Sequence, residues 1–215
     1  MKSILVIGMG RFGRHLAKEL LNLGNDVVVI DRDEEKIQNL TTYFTDSYVG
    51  DCTKSDVVRS LGVSDYDICF VCVERDFESS LVITSTLKDC NAKKIVSLAE
   101  RDKQADILRK IGADDVIYAA KVMAEKTALK YNADNIVDLI QLSSDYAIFE
   151  IPVISSWTGK TIAEVDVRKR CKVNIIAVKN ENDISVPSAQ YVFKENDNIM
   201  VLGEKDNVFK LANMK

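Results

Sequence analysis

Short apolar runs alternate with segments of helical periodicity through the first half of the chain. The runs, each the length of one strand, are SILVIG, DVVVID, SYVGD, DICFVCV, KKIVSLA and DDVIY. The segments between them, such as RFGRHLAKELLNLG, DEEKIQNLTTYF and RDKQADILRKIG, carry apolar residues three or four positions apart. Strand signals interleaved with helices predict one parallel sheet with helices on both faces, because parallel strands need crossover connections. We therefore expect a doubly wound, Rossmann-like α/β domain over residues 1–118.

The pattern differs over residues 119–143, where two helical segments follow each other without a strand between them. Their apolar positions are Ala124, Ala128, Tyr131, Ile136, Leu139 and Ile140. These stripes have no sheet of their own to cover, so we expect crossover helices that pack on a second copy of the chain or on the second domain.

Residues 144–215 contain mostly strand signals. DYAIFEIPV, KVNIIAVKN and NIMVLGE are predicted strands, SWTG and NENDIS are predicted turns, and KTIAEVDVRKRC and KDNVFKLANMK are predicted helical segments. Both prolines of the chain, Pro152 and Pro187, fall in this part. The pattern predicts a small α+β carboxy-terminal domain.

The charges are balanced and dispersed along the chain. There are 29 Lys and Arg against 33 Asp and Glu, for a net charge of −4, which does not indicate nucleic acid as a partner. No apolar run approaches the ~20 residues of a transmembrane helix, and GMGRFGR interrupts the first run where a signal peptide would continue. We therefore expect a cytoplasmic protein with no transmembrane segment of its own.

The five cysteines are an odd number in a chain too large to need disulfides, which favours reduced thiols. Cys69 and Cys72 have the C-x-x-C spacing of some redox and zinc sites. Both fall within one predicted strand, however, where residues three apart point to opposite faces. We interpret them as core residues and expect no metal site from them.

The hexapeptide GMGRFG has the pattern G-x-G-x-x-G, directly after a predicted strand and at the start of a predicted helix. Gly8 permits a tight turn, Gly10 lets the backbone approach a phosphate, and Gly13 lets the helix pack closely on the sheet. Free N–H groups and the helix dipole favour an anion at this point. The motif therefore predicts a phosphate-binding turn.

Acidic residues follow three of the predicted strands. Asp31 comes about twenty residues after the glycines, where a carboxylate accepts hydrogen bonds from both ribose hydroxyls of an adenosine; the alternative is a helix cap. Its charge repels a 2′-phosphate, which only the adjacent Arg32 favours. Asp51 in GDCT either meets the adenine edge or caps the helix that follows. Glu74 is expected near the phosphates, where it acts only through a cation or a sugar hydroxyl.

A catalytic group for nicotinamide chemistry is missing from the expected places. Such an enzyme needs a proton donor and acceptor beside the ring, usually His or a Tyr and Lys pair. The only histidine, His15, lies on the first predicted helix, and no Tyr is followed four residues later by Lys. Arg11, in contrast, brings a guanidinium into the turn, which favours a polyphosphate of higher charge than a dinucleotide. The residues favour a nucleotide that signals over a cofactor that reacts.

Five stretches together resemble the cytoplasmic regulator subunits of Ktr and Trk potassium uptake systems, which carry regulator of potassium conductance (RCK) domains. They are GMGRFG, the strand-ending Asp31, YVGDCT, RKIGADDVI and IPVISSWTGKTIAEVDVRKRCKVNIIAVK, and the resemblance covers the whole chain. It implies a non-enzymatic gating subunit beneath a membrane potassium-translocating subunit, at the inner face of the plasma membrane. The subunit would form a homodimer that assembles into an octameric ring, and exchange of ATP and ADP would change the shape of that ring.

The resemblance also implies roles for single residues. Arg11 would reach the terminal phosphates of a nucleotide, often one bound to a neighbouring subunit. Two departures concern the same site. Ala119 and Ala120 stand where Ktr relatives often carry Pro-Glu, whose acidic residue helps to hold a divalent cation. Leu98 stands where relatives tend to have a basic residue, with Arg101 or Arg75 as substitutes. The predicted nucleotide site comprises Gly8, Met9, Gly10, Arg11, Phe12, Gly13, Asp31, Arg32, Asp51, Cys52, Glu74 and Arg101.

In relatives from Gram-positive bacteria the carboxy-terminal domain binds cyclic di-AMP across a dimer interface. The matching positions here are Asp166, Val167, Arg168, Asn174, Ile175, Ile176 and Pro187. In isolation the same segments indicate only a helix cap and a core strand. Ile175 and Ile176 would point to opposite faces of that strand, so at most one side chain would meet a ligand.

Two other functions remain open from the sequence. The first is an NAD(H)-binding redox sensor or small oxidoreductase, which the same glycine motif permits. The second is a regulator attached to a different channel or exchanger, because the same two domains can serve other membrane partners.

Overall fold

The computed structural model describes residues 1–44, 46–133, 135–180 and 183–214. The chain divides into two compact units, Met1–Ala120 and Lys121–Lys215. Glu181 and Asn182 of the predicted NENDIS turn lie outside the described residues, as do Asp134 in the second predicted crossover segment and Lys215 in the last predicted helix. In the part of the chain that is described, no helix has the length and apolar character needed to cross a membrane.

The first unit is a parallel sheet covered by helices. Its elements are β1 (Ser3–Ile7), α1 (Arg11–Asn22), β2 (Asp26–Asp31), α2 (Glu34–Gln38), β3 (Ser47–Val49), α3 (Ser55–Ser60), β4 (Ile68–Val71), α4 (Phe77–Asp89), β5 (Ile95–Leu98), α5 (Asp102–Ile111) and β6 (Asp115–Ile117). All strand pairs are parallel, in the order β3-β2-β1-β4-β5-β6. This confirms the predicted Rossmann-like fold. The strand order reverses beside β1, which is where doubly wound sheets bind ligands.

Successive residues of the strands enter two cores, one on each face of the sheet. Leu5 lies in one hydrophobic cluster and its neighbour Val6 in the other, and neither side chain is exposed. A strand covered on both faces is therefore apolar along its whole length. Cys69 and Cys72 are divided between the same two clusters, so the two side chains lie on opposite faces of the sheet, as predicted.

Two helices end earlier than their periodicity predicts. The structure has α2 only at Glu34–Gln38, and turns follow it instead of helix to residue 44. The periodicity of RFGRHLAKELLNLG predicts Leu23 on one apolar stripe with Leu16 and Leu20, but Leu23 is the C-cap of α1 and is 77% exposed. The backbone leaves the helix there toward Gly24, whose φ is +81°, so Leu23 no longer follows the helical stripe.

The second unit is built around an antiparallel sheet. Before it, α6 (Ala119–Tyr131) buries none of its side chains. The later elements are β7 (Asp138–Gln141), β8 (Tyr146–Pro152), a 3₁₀ turn (Ser155–Trp157), α7 (Ile162–Val165), α8 (Val167–Cys171), β9 (Asn174–Asn180), β10 (Asp183–Ser185), β11 (Asn198–Glu204) and α9 (Lys205–Ala212). The strand order is β10-β9-β11-β8-β7, with every pair antiparallel.

One face of this sheet packs against a single core. Phe149 of β8 meets Phe209 of α9 edge to face, with ring centroids 5.7 Å apart. Asp197, 1% exposed, accepts hydrogen bonds of 2.8 Å from the Tyr191 hydroxyl and from the Lys194 N–H, which fixes the turn before β11. The predicted small α+β domain is therefore present.

The second predicted crossover helix is wrong, because its residues form β7. Leu139 is buried while Ile140 is 53% exposed, which is the alternation of a strand. Ile136, Leu139 and Ile140 have a spacing that also suits a helix, and pairing with β8 decides between the two. The predicted NENDIS turn is corrected in the same way, since Asp183–Ser185 pairs with β9 as β10.

Candidate functional site

The glycine-rich loop connects β1 to α1 at the switch point of the parallel sheet. Gly8 has a φ of +97°, and a Cβ there would lie 2.7 Å from the carbonyl oxygen of Cys72. A Cβ on Gly13 would overlap the carbonyl oxygen of Gly8. Both positions therefore need glycine, because the obstructing atoms belong to the backbone and cannot move aside. The N–H of Gly8 donates to the carbonyl of Ile30 at 2.8 Å, which fixes the loop against β2.

Asp31 ends β2 beside this loop and is 7% exposed. Its Oδ2 accepts a hydrogen bond of 2.6 Å from the Met9 N–H, and its Oδ1 accepts one of 2.9 Å from the Asp33 N–H. Lys36 Nζ lies 3.3 Å from Oδ2, so the carboxylate also has a cationic neighbour. Asp31 thus organises the loop, in addition to the ribose-binding role predicted for it.

Asp51 and Cys52 follow β3 at the mouth of the sheet. Asp51 Oδ1 accepts hydrogen bonds from the N–H of Thr53 at 3.1 Å and from its hydroxyl at 2.7 Å. These hydrogen bonds lower the pKa of Asp51. Asp51 therefore closes the turn ahead of α3, whose N-cap is Lys54. Burial raises the pKa of the Cys52 thiol to about 12, so this thiol stays protonated at neutral pH.

Glu74 follows β4, the strand on the other side of β1. Its Oε1 accepts a hydrogen bond of 2.9 Å from the backbone N–H of Phe12, in the first turn of α1. The next residue, Arg75, has a φ of +62° and donates its N–H to Glu100 at 3.3 Å. Asp76 caps α4 through the Ser79 N–H at 3.1 Å.

A cavity of about 470 Å³ lies over the loop and the ends of β1, β2, β3 and β4. The predicted residues that line it are Gly8, Met9, Gly10, Arg11, Asp31, Arg32, Asp51, Cys52 and Glu74. Phe12 and Gly13 do not line it: they lie in the first turn of α1, where Phe12 packs against one core. Arg101 is outside the cavity: it is the exposed N-cap of α5, after β5, and β4 separates β5 from β1. Arg75, the alternative substitute, lines the cavity.

Sequence reasoning missed several charged residues of the cavity. Arg14, which directly follows Gly13 and is about one helical turn beyond Arg11, lines it from α1, and Lys36 lines it from α2. Asp76, the N-cap of α4, pairs with Arg32, the residue after β2, at 3.6 Å. This ion pair joins the carboxyl end of β2 to the start of α4 across β1. The i+3 spacing of Arg14 from Arg11 was the only available signal, since it places both on one face of a helix.

The described residues hold no cluster of three or more His, Cys, Asp or Glu side chains that could bind a metal ion. Asp31, Glu74 and Asp76 line the cavity beside the phosphate turn, and each already has a partner in the protein. The residues around the loop fit a phosphate-containing ligand, because the loop leads into the N-terminus of α1 and five cationic side chains line the cavity. These are Arg11, Arg14, Arg32, Lys36 and Arg75.

The predicted residues of the carboxy-terminal unit lie at three places. Asp166 joins α7 to α8 with a φ of +48° and pairs with Lys169 at 3.4 Å, and Val167 is buried in the core. Arg168 lies in α8, and Pro187 follows β10. Neither the cavity around Trp157 and Arg170 nor the one around Asn135 and Pro152 includes any of the predicted residues.

The remaining predicted residues, Asn174, Ile175 and Ile176, begin β9, where a bulge interrupts the register with β11. Val201 pairs with Ile175 and Met200 pairs with Ala177, so Ile176 is the extra residue. Ile175 packs against the core of the unit. The simple alternation assumed for Ile175 and Ile176 is therefore replaced by a bulge.

Two domain families match the chain. The TrkA-N domain matches residues 4–119, and the TrkA-C domain matches residues 146–214. Two relatives from Bacillus subtilis (strain 168) align over nearly the whole length. Ktr system potassium uptake protein C is 30% identical over 208 residues, which cover 96% of this chain and 94% of that protein. Ktr system potassium uptake protein A is 30% identical over 213 residues, which cover 99% and 96%.

The fold also matches a solved channel in two ligand states. The GsuK channel bound to NAD has a TM-score of 0.68 and 20% identity, over 96% of this chain and 38% of that chain. GsuK bound to ADP has a TM-score of 0.54 and 17% identity, over 62% of this chain and 36% of that chain. This chain therefore spans little more than a third of the channel chains, and at such identities the likeness shows a common fold.

Proposed function

The chain belongs to the family of regulatory subunits of Ktr and Trk potassium uptake systems, and we propose that its first unit binds an adenine nucleotide to control that uptake. The observation that carries this proposal is the single cavity that brings the glycine-rich loop, Asp31 and Arg11 together at the switch point. Its volume, about 470 Å³, falls in the range of small-molecule sites, ~300–1,000 Å³.

The charges of the cavity support ADP or ATP as the nucleotide. Arginine and lysine side chains from four separate segments of the chain line the cavity around the loop. Arg11 is at the first position of α1, where its guanidinium can pair with a phosphate while the helix N-terminus contributes N–H groups. The Met9 and Asp33 N–H groups use two of the about four acceptor positions of the Asp31 carboxylate, and ribose hydroxyls would take the other two in place of Lys36 Nζ.

NAD(H) is the alternative ligand, and with it an NAD(H)-binding redox sensor or a small oxidoreductase. GsuK of the same fold has been solved with NAD and with ADP, so the fold accommodates either molecule. The cavity lining argues against a cofactor that reacts, because its described residues include neither histidine nor tyrosine. We therefore favour a regulatory nucleotide and no catalysis.

The test is a titration of the full chain with ADP, ATP, NAD and NADH by calorimetry, with thermal unfolding as a second readout. Arg11→Ala should weaken ADP and ATP by about tenfold or more, because a charge-assisted hydrogen bond is lost. Arg59→Ala, which removes an exposed arginine outside the cavity, is the matched control and should bind like the wild type. Binding of NADH alone, indifferent to Arg11, would favour the alternative, and no binding at all would contradict the proposal.

A nucleotide controls a transporter only if it binds two arrangements of the assembly with unequal affinity. We propose that this chain works at the inner face of the plasma membrane, as a homodimer assembled into an octameric ring on a membrane potassium-translocating subunit. Its membership of the Ktr and Trk family supports this. Size-exclusion chromatography with light scattering, in ADP and in ATP, measures the assembly directly, and a monomer in both would contradict it.

Cyclic di-AMP is proposed as the ligand of the second unit, on the resemblance of the D-x-R and N-I-I segments. Arg168 would hold a phosphate, and Ile176, the extra residue of the bulge and not part of the core of the unit, would contact the purine. Calorimetry with cyclic di-AMP should give binding that Arg168→Ala weakens and Arg59→Ala does not. No heat from the wild-type chain would exclude this ligand.

A further inference from the structure

Glu74 contacts the glycine-rich loop at the place where a phosphate would bind. The hydrogen bond from the Phe12 N–H to Glu74 Oε1 is 2.9 Å long. A Cβ on Gly10 would lie 3.0 Å from Glu74 Cδ and 3.1 Å and 3.2 Å from the two carboxylate oxygens. The Glu74 carboxylate therefore takes the space that a side chain at position 10 would need. Gly10 is the glycine that leaves room for a ligand.

The Phe12 amide is one of the N–H donors at the start of α1 that have no partner within the helix. The first four N–H groups of a helix lack partners within it, and anions bind there because these donors and the helix dipole act together. Another amide of the loop, that of Met9, already donates to Asp31. In the protein alone, the Glu74 carboxylate thus takes the anion position of α1.

We propose that Glu74 is the specificity-determining residue of the nucleotide site, because its carboxylate competes with the ligand phosphates for the Phe12 amide. A phosphate can use that amide only after Glu74 has moved away, and the two groups repel each other. The cost therefore grows with the negative charge of the ligand, in the order NAD, ADP, ATP. This inference rests on the proposed nucleotide site. It names the side chain that makes the affinity of that site depend on the negative charge of the ligand.

The segment around Glu74 is fixed, whereas its side chain has rotatable bonds. Arg75 has a left-handed backbone and is hydrogen-bonded to Glu100, and Asp76 caps α4 and pairs with Arg32. The backbone therefore keeps the carboxylate at the rim of the cavity, while rotation of the side chain releases the amide. Displacement is the mode that the contact indicates, because the carboxylate already occupies the Phe12 amide; a bridging cation would use the same carboxylate, and a comparison with Mg²⁺ separates the two modes.

The test compares Glu74→Gln and Glu74→Ala with the wild-type full chain, by calorimetry with NAD, ADP and ATP in the presence of EDTA and, in a parallel series, with Mg²⁺. Glu74→Gln removes the charge and keeps the shape, so ATP should bind about tenfold tighter, ADP should gain less and NAD least. Glu78→Gln is the matched control. It removes the same charge from an exposed position in the first turn of α4, outside the cavity, and should leave all three affinities unchanged.

Three results would overturn the inference. Equal affinities in wild type and Glu74→Gln would show that the carboxylate does not compete. Weaker ATP binding in Glu74→Gln, seen only with Mg²⁺, would show that Glu74 bridges a cation. Absence of binding by the wild type and by both variants would overturn the proposed nucleotide site itself, and this inference with it.

A measurement without nucleotide separates the contact from the proposed function. The Phe12 amide should exchange its hydrogen faster in Glu74→Ala than in the wild type, because the acceptor has been removed. Glu78→Gln should leave that exchange unchanged. The same exchange rate for Phe12 in all three proteins would show that Glu74 does not hold this amide, whatever the ligands do.

Discussion

The backbone N–H of Met9 donates a hydrogen bond of 2.6 Å to Asp31 Oδ2, so the residue that ends β2 holds the loop that follows β1. Met9 itself is fully buried and packs in the core beneath the loop. Met9 is thus fixed twice, through its N–H by a carboxylate and through its side chain by core packing. A change at Asp31 therefore acts on the loop as well as on any ribose.

Asp31→Asn should weaken both folding and ligand binding. An amide can accept through one atom only, so either the Met9 or the Asp33 hydrogen bond is lost, at a cost of about 1–3 kcal/mol. We expect a lower midpoint in urea and a smaller stabilisation by ADP. The control Asp33→Asn changes a carboxylate that caps α2 outside the cavity, and ADP should stabilise it as it does the wild type. Unchanged ADP stabilisation in Asp31→Asn would contradict the prediction.

Gly13→Ala should disrupt the loop, whereas Gly24→Ala should not. The new Cβ at position 13 meets the Gly8 carbonyl oxygen, and overpacking against backbone costs about 3 kcal/mol. Gly24 has open space around its α-carbon, so only its left-handed backbone is strained, at about 1 kcal/mol. Both variants can be compared by far-UV circular dichroism in urea and by ADP binding. Wild-type binding by Gly13→Ala would show that the loop adapts.

The first unit should lose stability at alkaline pH. Burial raises the pKa of the Cys69 thiol from 9.0 to about 12, so the folded state keeps a proton that the unfolded chain releases. The contribution is complete below pH 9 and falls as the pH rises toward 12, by about 1.4 kcal/mol per pH unit for each such thiol. Cys69→Ala should therefore have a shallower decline of stability with pH in this window.

Val71→Ala is the control for that measurement. It truncates a buried residue of the same strand and cluster but removes no ionisable group. Both variants should be less stable than the wild type at pH 7, and only Cys69→Ala should change the slope above pH 9. Equal slopes in the two variants would show that the thiol does not titrate on unfolding.

Lys179→Ala should destabilise the second unit. Lys179 Nζ lies 3.0 Å from Glu150 Oε1, and Asn198 Nδ2 donates to the same oxygen at 2.9 Å. Glu150 is 9% exposed, so it would keep a charge with little water around it, at a cost of about 1–2 kcal/mol. The fluorescence of Trp157, the only tryptophan, reports this unit.

Lys169→Ala provides the comparison. Lys169 pairs with Asp166 at 3.4 Å, but its side chain is 85% exposed, and such surface pairs contribute about 0–1 kcal/mol. Its urea midpoint should stay close to that of the wild type. If Lys179→Ala behaved in the same way, the Glu150 pair would be no more important than a surface pair.

The strands that the sequence failed to predict, β7 and β10, are the two edges of the second sheet. An edge strand has one neighbour and more contact with water, so its residues alternate less clearly. Ile184 in β10 is 58% exposed and Ile140 in β7 is 53% exposed. The apolar residues of these two strands therefore do not mark a buried face, and a buried face is what the prediction of a strand from the sequence depends on. The inner strands of the parallel sheet, β1, β2, β4 and β5, were predictable because both of their faces are covered and their apolar runs are unbroken.

The candidate site divides in a similar way. The glycines, Asp31 and Asp51 are local signals, each tied to the end of one strand. The Phe12–Glu74 contact joins residues 62 positions apart, and no spacing rule links them. Arg101 was assigned to the site from its place after β5, although β4 lies between that strand and the loop. Distance across a sheet is a property of strand order, which a linear pattern does not contain.

The position of β11 sets an order of events during synthesis. The first unit has all of its strands once the ribosome has passed residue 120, and it can fold while the rest is made. In the second sheet, β11 lies between β8 and β9 and comes after every other strand of that sheet. Until it emerges, β7 with β8 and β9 with β10 are two separate hairpins without a common sheet. A ribosome that stops shortly before residue 198 would therefore release one folded unit and two strand pairs with open edges, a target for proteolysis and for aggregation.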